Sequence, residues 1–413
     1  MKRILVIAES IDVNDSSGTK GRVALIKNMI KVGYDVHVYH YTSKNIQIEG
    51  ARCVVIRETK FSWNYFFSRL ERQLRYKLKI DLHEIFEKIW GFSFTLFNDR
   101  DSIIKAIKNI DFDPDLVFTF SKGGSFRPHH ALLKLPELHD KWVAYIHDPY
   151  PMHLYPRPYA WVEPGYLKKW TFVKQMSLKA AYPAFPSELL KDWMGSYFAE
   201  FSQRGIVIPH QINNEIRVNS KIDILGWDAE KFNILHAGSL LHARDPRALL
   251  VAFETFVSSL DKISRSQCRL VFIGSANNHR QVLQDFSQRV PEIKFLDQSV
   301  SFDTVYKMQQ ETSVNVILEA KSEISPFLPG KFPHCVAANK PIFSLSPALS
   351  EVKRLLGENY PYCCEADDKA KILEFLEISY SSWKSGKGTL NRPDLEAYLT
   401  EGYLKQKLDS LLN

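Results

Sequence analysis

Arg244 and Lys331 are the residues whose type and spacing point most directly to chemistry. Arg244 lies in the loop Leu240 to Pro246 (LLHARDP), which follows the apolar run Phe232 to Ser239 (FNILHAGS). Lys331 ends the loop Ala320 to Lys331 (AKSEISPFLPGK), which follows Val314 to Glu319 (VNVILE). A guanidinium fork and a mobile ammonium, each at the start of a helix-like segment, suit an anion, and a pyrophosphate in particular. Either cation alone reads more simply as a solvated loop residue. Their joint placement is what reverses that.

The placement follows from the order of elements between them. Strand-like runs recur at Cys268 to Ser275, Ile293 to Asp297 and Lys340 to Ser346, with helical segments between. This is a parallel, doubly wound pattern. In the strand order 3-2-1-4-5-6 the first and fourth strands are neighbours, and ligands bind at that switch point. The loops that carry Arg244 and Lys331 then border one crevice.

The first half of the chain repeats the pattern. Arg3 to Glu9, Val36 to Tyr41, Cys53 to Arg57, Asp115 to Ser121, Lys141 to Asp148 and Ile206 to His210 read as strands. The loop Ser10 to Gly21 holds Gly18 but is not a GxGxxG, which disfavours a nicotinamide enzyme. Beyond Ser121 come Arg127, His129 and His130 at the cleft border; two adjacent histidines without a third ligand do not make a metal site. The strand ending in His147 and Asp148 stops at prolines, which puts an acid at the mouth of the cleft, with a helix-cap acid as the plain alternative. Tyr155, Tyr159 and Trp161 in the Pro-rich stretch Met152 to Pro164 offer faces for sugar rings. Gln211 to Gly226 has the polar character of an interdomain linker.

The runs HAGSLLHARDPRALLVAF (His236 to Phe253) and PGKFPHCVAANKPI (Pro329 to Ile342) resemble the donor-binding segments of retaining, nucleotide-sugar-dependent glycosyltransferases of the GT-B fold, family-four type. The resemblance implies an α/β protein of two Rossmann-like, doubly wound domains facing across a cleft. It assigns 1–215 to an acceptor-side domain, 216–380 to a donor domain and 381–413 to a helical segment that packs back on the first. Arg244 and Lys331 match the residues that hold the donor diphosphate, and Gly238 and Ser239 fall in the same donor segment. His334 stands where the family usually has a ribose-binding Glu. Gly18 matches a glycine across the cleft from the donor phosphates, Asp148, with His147 second, matches a catalytic position facing the transferred sugar, and Arg127, His129 and Tyr155 fall on the acceptor side. The implied reaction transfers a sugar from a UDP- or GDP-linked donor to a hydroxyl acceptor with retention, with no cofactor and no metal. A lipid-linked saccharide in surface polysaccharide assembly is the acceptor class it suggests. A catalytically silent binding subunit and a nucleotide-sugar epimerase or hydrolase are the alternatives.

The bulk properties are compatible. A chain of 413 residues accommodates two cores, and a net charge of +7 favours anionic partners without choosing among them. No nucleic-acid motif is present. Five cysteines without a CxxC pair suggest reduced thiols, and with no signal peptide and no apolar run of about eighteen residues the expectation is a cytoplasmic protein. The segment 61–90 departs from a minimal nucleotide-binding domain. Trp63, Phe66, Phe67, Leu70, Leu74 and Leu78 recur at helical spacing among Arg69, Arg72, Arg75, Lys77 and Lys79. Such a helix either packs its apolar stripe on the domain or lies on an anionic bilayer at the inner face of the membrane.

Overall fold

The structure, a computed structural model, describes residues 2–42, 44–79, 82–212 and 222–412. The chain divides into two compact units. The first comprises Met1–Tyr155, Ala160–Gln211 and Thr400–Asn413, and the second Pro156–Tyr159 and Ile212–Leu399. Most of the expected linker, 213–221, lies outside the described residues.

In the first unit seven strands form one parallel sheet: β1 (Arg3–Ala8), β2 (Asp35–His40), β3 (Arg52–Val55), β4 (Leu116–Phe120), β5 (Trp142–Tyr145), β6 (Tyr182–Phe185) and β7 (Ile206–Val207). Their order is β3-β2-β1-β4-β5-β6-β7. Residues Ile4 to Ala8 are all buried, as expected where helices cover both faces of a parallel sheet. Register places Val6 between Val38 and Phe118. The chain reverses direction between β1 and β4, so the loops after these strands share one end of the sheet. The helices that matter for the site are α1 (Ser17–Lys31), α2 (Trp63–Leu78), α3 (His83–Trp90), α4 (Phe94–Ile107) and α5 (Arg127–Leu132). The Ser16 hydroxyl caps α1 by accepting from the Thr19 amide.

The second unit holds a six-stranded sheet and a two-stranded ribbon. The strands are β8 (Phe232–Ala237), β9 (Cys268–Ile273), β10 (Ile293–Leu296), β11 (Val314–Leu318), β12 (Ile324–Ser325), β13 (Ile342–Leu345), β14 (Leu349–Ser350) and β15 (Cys363–Cys364). The large sheet runs β10-β9-β8-β11-β13-β15, the 3-2-1-4-5-6 order expected from the sequence, and β12 pairs with β14. Its largest core lies between the sheet and the helices Arg247–Ser258 and Lys369–Lys384, where Tyr380 meets Phe232 and Phe256 with ring centroids 5.3 and 5.4 Å apart. Ile212 donates its amide to the Leu399 carbonyl at 2.8 Å, so the segment 381–399 stays with this unit and the return to the first begins at Thr400.

The returning helix Glu401–Leu412 packs on the first unit next to α1. The Tyr34 hydroxyl donates to Asp409 at 2.5 Å, Lys31 pairs with Glu401, and Leu404 and Leu408 are fully buried. Leu408→Ala removes buried methyl groups that no solvent replaces, at a cost of about 3 kcal/mol in denaturant unfolding. A loss below about 1 kcal/mol would show that the return helix is not part of this core.

Candidate functional site

In the second unit the site forms where β8 and β11 lie side by side. Lys331 precedes the helix Phe332–Ala337, and its ammonium reaches back to the strands. Nζ lies 3.4 Å from His236 Nδ1 on β8 and donates to the Val316 carbonyl on β11 at 3.4 Å. Gly238 makes room for it: a Cβ there would stand 3.2 Å from Nζ, and its φ of +151° suits glycine. Burial, with the Arg244 charge added, pushes the Lys331 ammonium down to about 7. The same burial, reinforced by Lys331 and Arg244, pushes His236 well below the usual imidazole range, so its ring is neutral and able to accept from the lysine.

Arg244 sits in the turn after β8, its amide bonded to the Leu241 carbonyl at 2.7 Å. Its Nε is buried with no partner. Neither Arg244 nor Lys331 forms a salt bridge among the described residues. Arg244 shares a small recess with Glu319, Ser325, Tyr159 and Phe327. Glu319, the residue after β11, accepts from the Ser325 hydroxyl at 2.6 Å, while its Oε2 has no partner. Burial pushes its carboxyl up to about 7, against the pull of Ser325 and of the two cations. Two partly buried cations without carboxylate partners make this corner positive, and a diphosphate is the ligand class that fits.

The sequence therefore brings Arg244, Lys331 and Gly238 to one place, with Ser239 exposed beside them. His334 takes another position. It is buried against the rings of Phe302 and Tyr306, at 5.0 and 5.6 Å, which leaves Glu319 as the ionisable group beside Arg244. Sequence reasoning missed His236 and Glu319 as members of the site. Their signal was weak: a polar residue at or just past the end of an apolar strand, which a core position also explains.

In the first unit the segments after β1, β2 and β4, with α4, border an open cavity of ≈ 490 Å³. Arg127 lines it and clamps two carboxylates, Glu9 at 2.9 Å and Asp99 at 2.6 Å. Glu9, Asp99, Asp15 and Lys44 were not singled out from the sequence, although Glu9 directly follows the buried run Ile4 to Ala8. His129 is corrected by the structure: it is fully buried beside Phe126 and Trp142, where desolvation pushes it down to about 3, and a side chain without exposed surface cannot meet an acceptor. His130 is likewise internal, stacked on Phe172 at 3.7 Å. His147 and Asp148 follow β5. Nδ1 of His147 shares a 3.0 Å hydrogen bond with Ser121, and burial beside the Arg22 charge keeps the ring neutral. Asp148 is half-buried, and its charge acts on the buried Arg22, which donates to the Ser121 carbonyl at 2.9 Å. Gly18 lies in the first turn of α1, and the ring of Tyr155 meets Trp161 edge-on at 4.4 Å. No cluster of three His, Cys, Asp or Glu among the described residues is placed to hold a metal ion.

No protein-family model matches the chain, and no curated protein sequence is significantly similar to it. Solved structures match it over its whole length. The trehalose-6-phosphate synthase OtsA superposes with a TM-score of 0.65 at 12% identity, covering 100% of this chain and 99% of that one. A UDP-forming alpha,alpha-trehalose-phosphate synthase from Burkholderia vietnamiensis gives 0.62 at 11%, covering 100% and 98%. HepE from Anabaena, solved in complex with UDP and glucose, gives 0.60 at 11%, covering 100% and 99%. At such identity the likeness concerns the fold, and the fold is GT-B.

The depressed Lys331 fixes a pH dependence. Below about 7 its amine is charged in the free protein, and above that it is neutral. A bound diphosphate favours the charged form and raises its pKa, so binding takes up a proton above pH 7 and affinity falls as pH rises through that value. Calorimetry with UDP at about pH 8, in buffers of different ionisation enthalpy, is expected to show proton uptake to which Lys331 contributes up to about one proton, and a smaller uptake in Lys331→Met, where Glu319 alone remains to titrate. Equal proton exchange in the two proteins would contradict the placement.

Proposed function

We propose that this protein is a glycosyltransferase of the family-four type that moves a sugar from a nucleoside-diphosphate donor, UDP- or GDP-linked, to a hydroxyl acceptor with retention of configuration. The observation that carries this reading is the pair Arg244 and Lys331 at the ends of β8 and β11, two cations with no salt-bridge partner among the described residues. The GT-B fold supports it, as does a structural neighbour solved with UDP and glucose.

The difficult step is departure of the nucleoside diphosphate. The bond from the anomeric carbon to the phosphate oxygen breaks, and negative charge develops on that oxygen. Arg244 and Lys331 offset this charge in a poorly solvated corner, where preorganised positive groups contribute several kcal/mol without a divalent ion. The acceptor hydroxyl attacks the same face, forms the new carbon–oxygen bond and passes its proton to the departing phosphate. No protein nucleophile takes part. Glu319 offers Oε2 to a donor hydroxyl, in place of the carboxylate that His334 replaces. The second unit holds the donor and the first binds the acceptor, with Asp148 the positioning acid and His147, a neutral ring, beside it. A lipid-linked saccharide of surface polysaccharide assembly is the acceptor class we favour.

Titration with UDP, GDP, ADP and dTDP in the absence of divalent metal tests the donor half. One nucleotide is expected to bind at micromolar concentration, and Arg244→Ala and Lys331→Ala each to weaken it and to lower turnover of the matching nucleotide sugar about a hundredfold or more. Binding without any turnover would identify a silent GT-B subunit, free sugar or an isomerised donor as sole product would identify a hydrolase or an epimerase, and no binding at all would remove the reading.

A further inference from the structure

Helix α2 is packed inside out. Its polar residues face the protein: Ser68 and Glu71 are buried, Asn64 donates to Asp101 of α4 at 2.8 Å, and the Ser62 hydroxyl at its cap donates to Asn98 at 2.8 Å. Its apolar residues face outward. Trp63 is 78% exposed and Phe66 55%, with Phe67 and Leu70 beside them and Phe61, at 100%, just before the helix. Helix α3 adds Ile85, Ile89 and Trp90, all exposed.

These side chains join into one surface. Phe67 meets Phe94 at 5.1 Å, and Phe94 in turn meets Trp90 at 5.2 Å and Phe86 at 5.4 Å. A contiguous exposed aromatic patch on two helices marks an interaction site. The exposed Arg57, Lys60, Arg72, Lys77 and Lys79 flank it in the chain, and none forms an ion pair with a described residue.

We propose that this surface seats the protein on an anionic lipid bilayer, with α2 and α3 lying in the headgroup plane, their aromatics at the acyl boundary and the cations against phosphate headgroups. The charge selects the occupant. A second copy meeting the patch across a two-fold axis would bring two like sets of cations together, whereas a lipid surface supplies both apolar depth and negative charge. Trp63 and Trp90 are the residue type that favours that interface. No helix of the described residues is long and apolar enough to cross a membrane, so the attachment is peripheral. It is independent of the glycosyl-transfer reading.

Flotation of the full chain with vesicles tests the proposal. Binding is expected to vesicles of equal parts phosphatidylglycerol and phosphatidylcholine at low salt, and to weaken at high salt or with phosphatidylcholine alone. The doubly substituted Trp63→Ser, Phe66→Ser protein keeps its circular dichroism and thermal transition, because both side chains are exposed, yet its partitioning falls about tenfold or more. Lys60→Glu with Arg72→Glu removes the salt-sensitive part. Absence of flotation at low salt, or equal flotation of the Trp63 and Phe66 variant, overturns the proposal. So does a native dimer that the same substitutions convert to monomer without any lipid binding, which would assign the patch to a second copy.

Discussion

An ammonium enclosed by protein without a counter-ion is unstable by several kcal/mol, and it persists only where the surrounding fold enforces it. Lys331, half-buried and with no salt bridge among the described residues, comes close to that condition. Its backbone is fixed by the loop before the helix Phe332–Ala337, its Nζ is confined among His236, Val316 and Gly238, and Arg244 stands close enough to push its pKa further down. A neutral His236 and a carboxyl at Glu319 shifted to about 7 show the same low-polarity surroundings acting on opposite charge types. Under the proposed function, this corner stays positive and partly dry until an anion arrives.

The sheet makes the arrangement possible. Because β8 neighbours β11 in the order β10-β9-β8-β11-β13-β15, residues far apart in the chain reach one strand end, and two loops of different origin converge there. The first unit uses the same device between β1 and β4. There the convergent loops carry mutually neutralising pairs: Arg127 with Glu9 and Asp99, Lys44 with Asp12, and Lys122 with Asp15. The contrast is chemical. The second unit leaves Arg244 and Lys331 without salt-bridge partners among the described residues, while the first pairs its cations within a cavity lined by four carboxylates, Glu9, Asp12, Asp15 and Asp99, and three cations, Lys44, Lys122 and Arg127.

The strands and their order were legible because parallel strands covered on both faces are written as uninterrupted apolar runs, and Ile4 to Ala8 and Val314 to Leu318 are of that kind. Arg244 and Lys331 were legible for the same reason, since the switch-point rule needs only strand order. Glu319 and His236 were not, because their surroundings depend on the Lys331 side chain reaching back to β8 and β11 and on Arg244 and Ser325 meeting Glu319, tertiary facts that no local pattern encodes. His129 looked functional beside Arg127 but is turned into the core by α5, two residues on and about 200° round the helix from Arg127. The apolar stripe of α2 was visible in the sequence; its direction was not. Periodicity reports that a helix has two faces, while the polar contacts of Asn64 and Ser62 with α4 decide which one turns inward.

The proposed function rests on Lys331 being a low-pKa ammonium that meets a diphosphate. Carbon-13 NMR of the protein labelled at lysine ε-carbons, titrated across neutral pH with and without UDP, measures it directly. One resonance is expected to titrate near 7, to be absent from Lys331→Met and to move upward by at least about one unit when UDP is bound. If every lysine titrated above about 9 in the free protein, Lys331 would be an ordinary solvated lysine and the claim would fail.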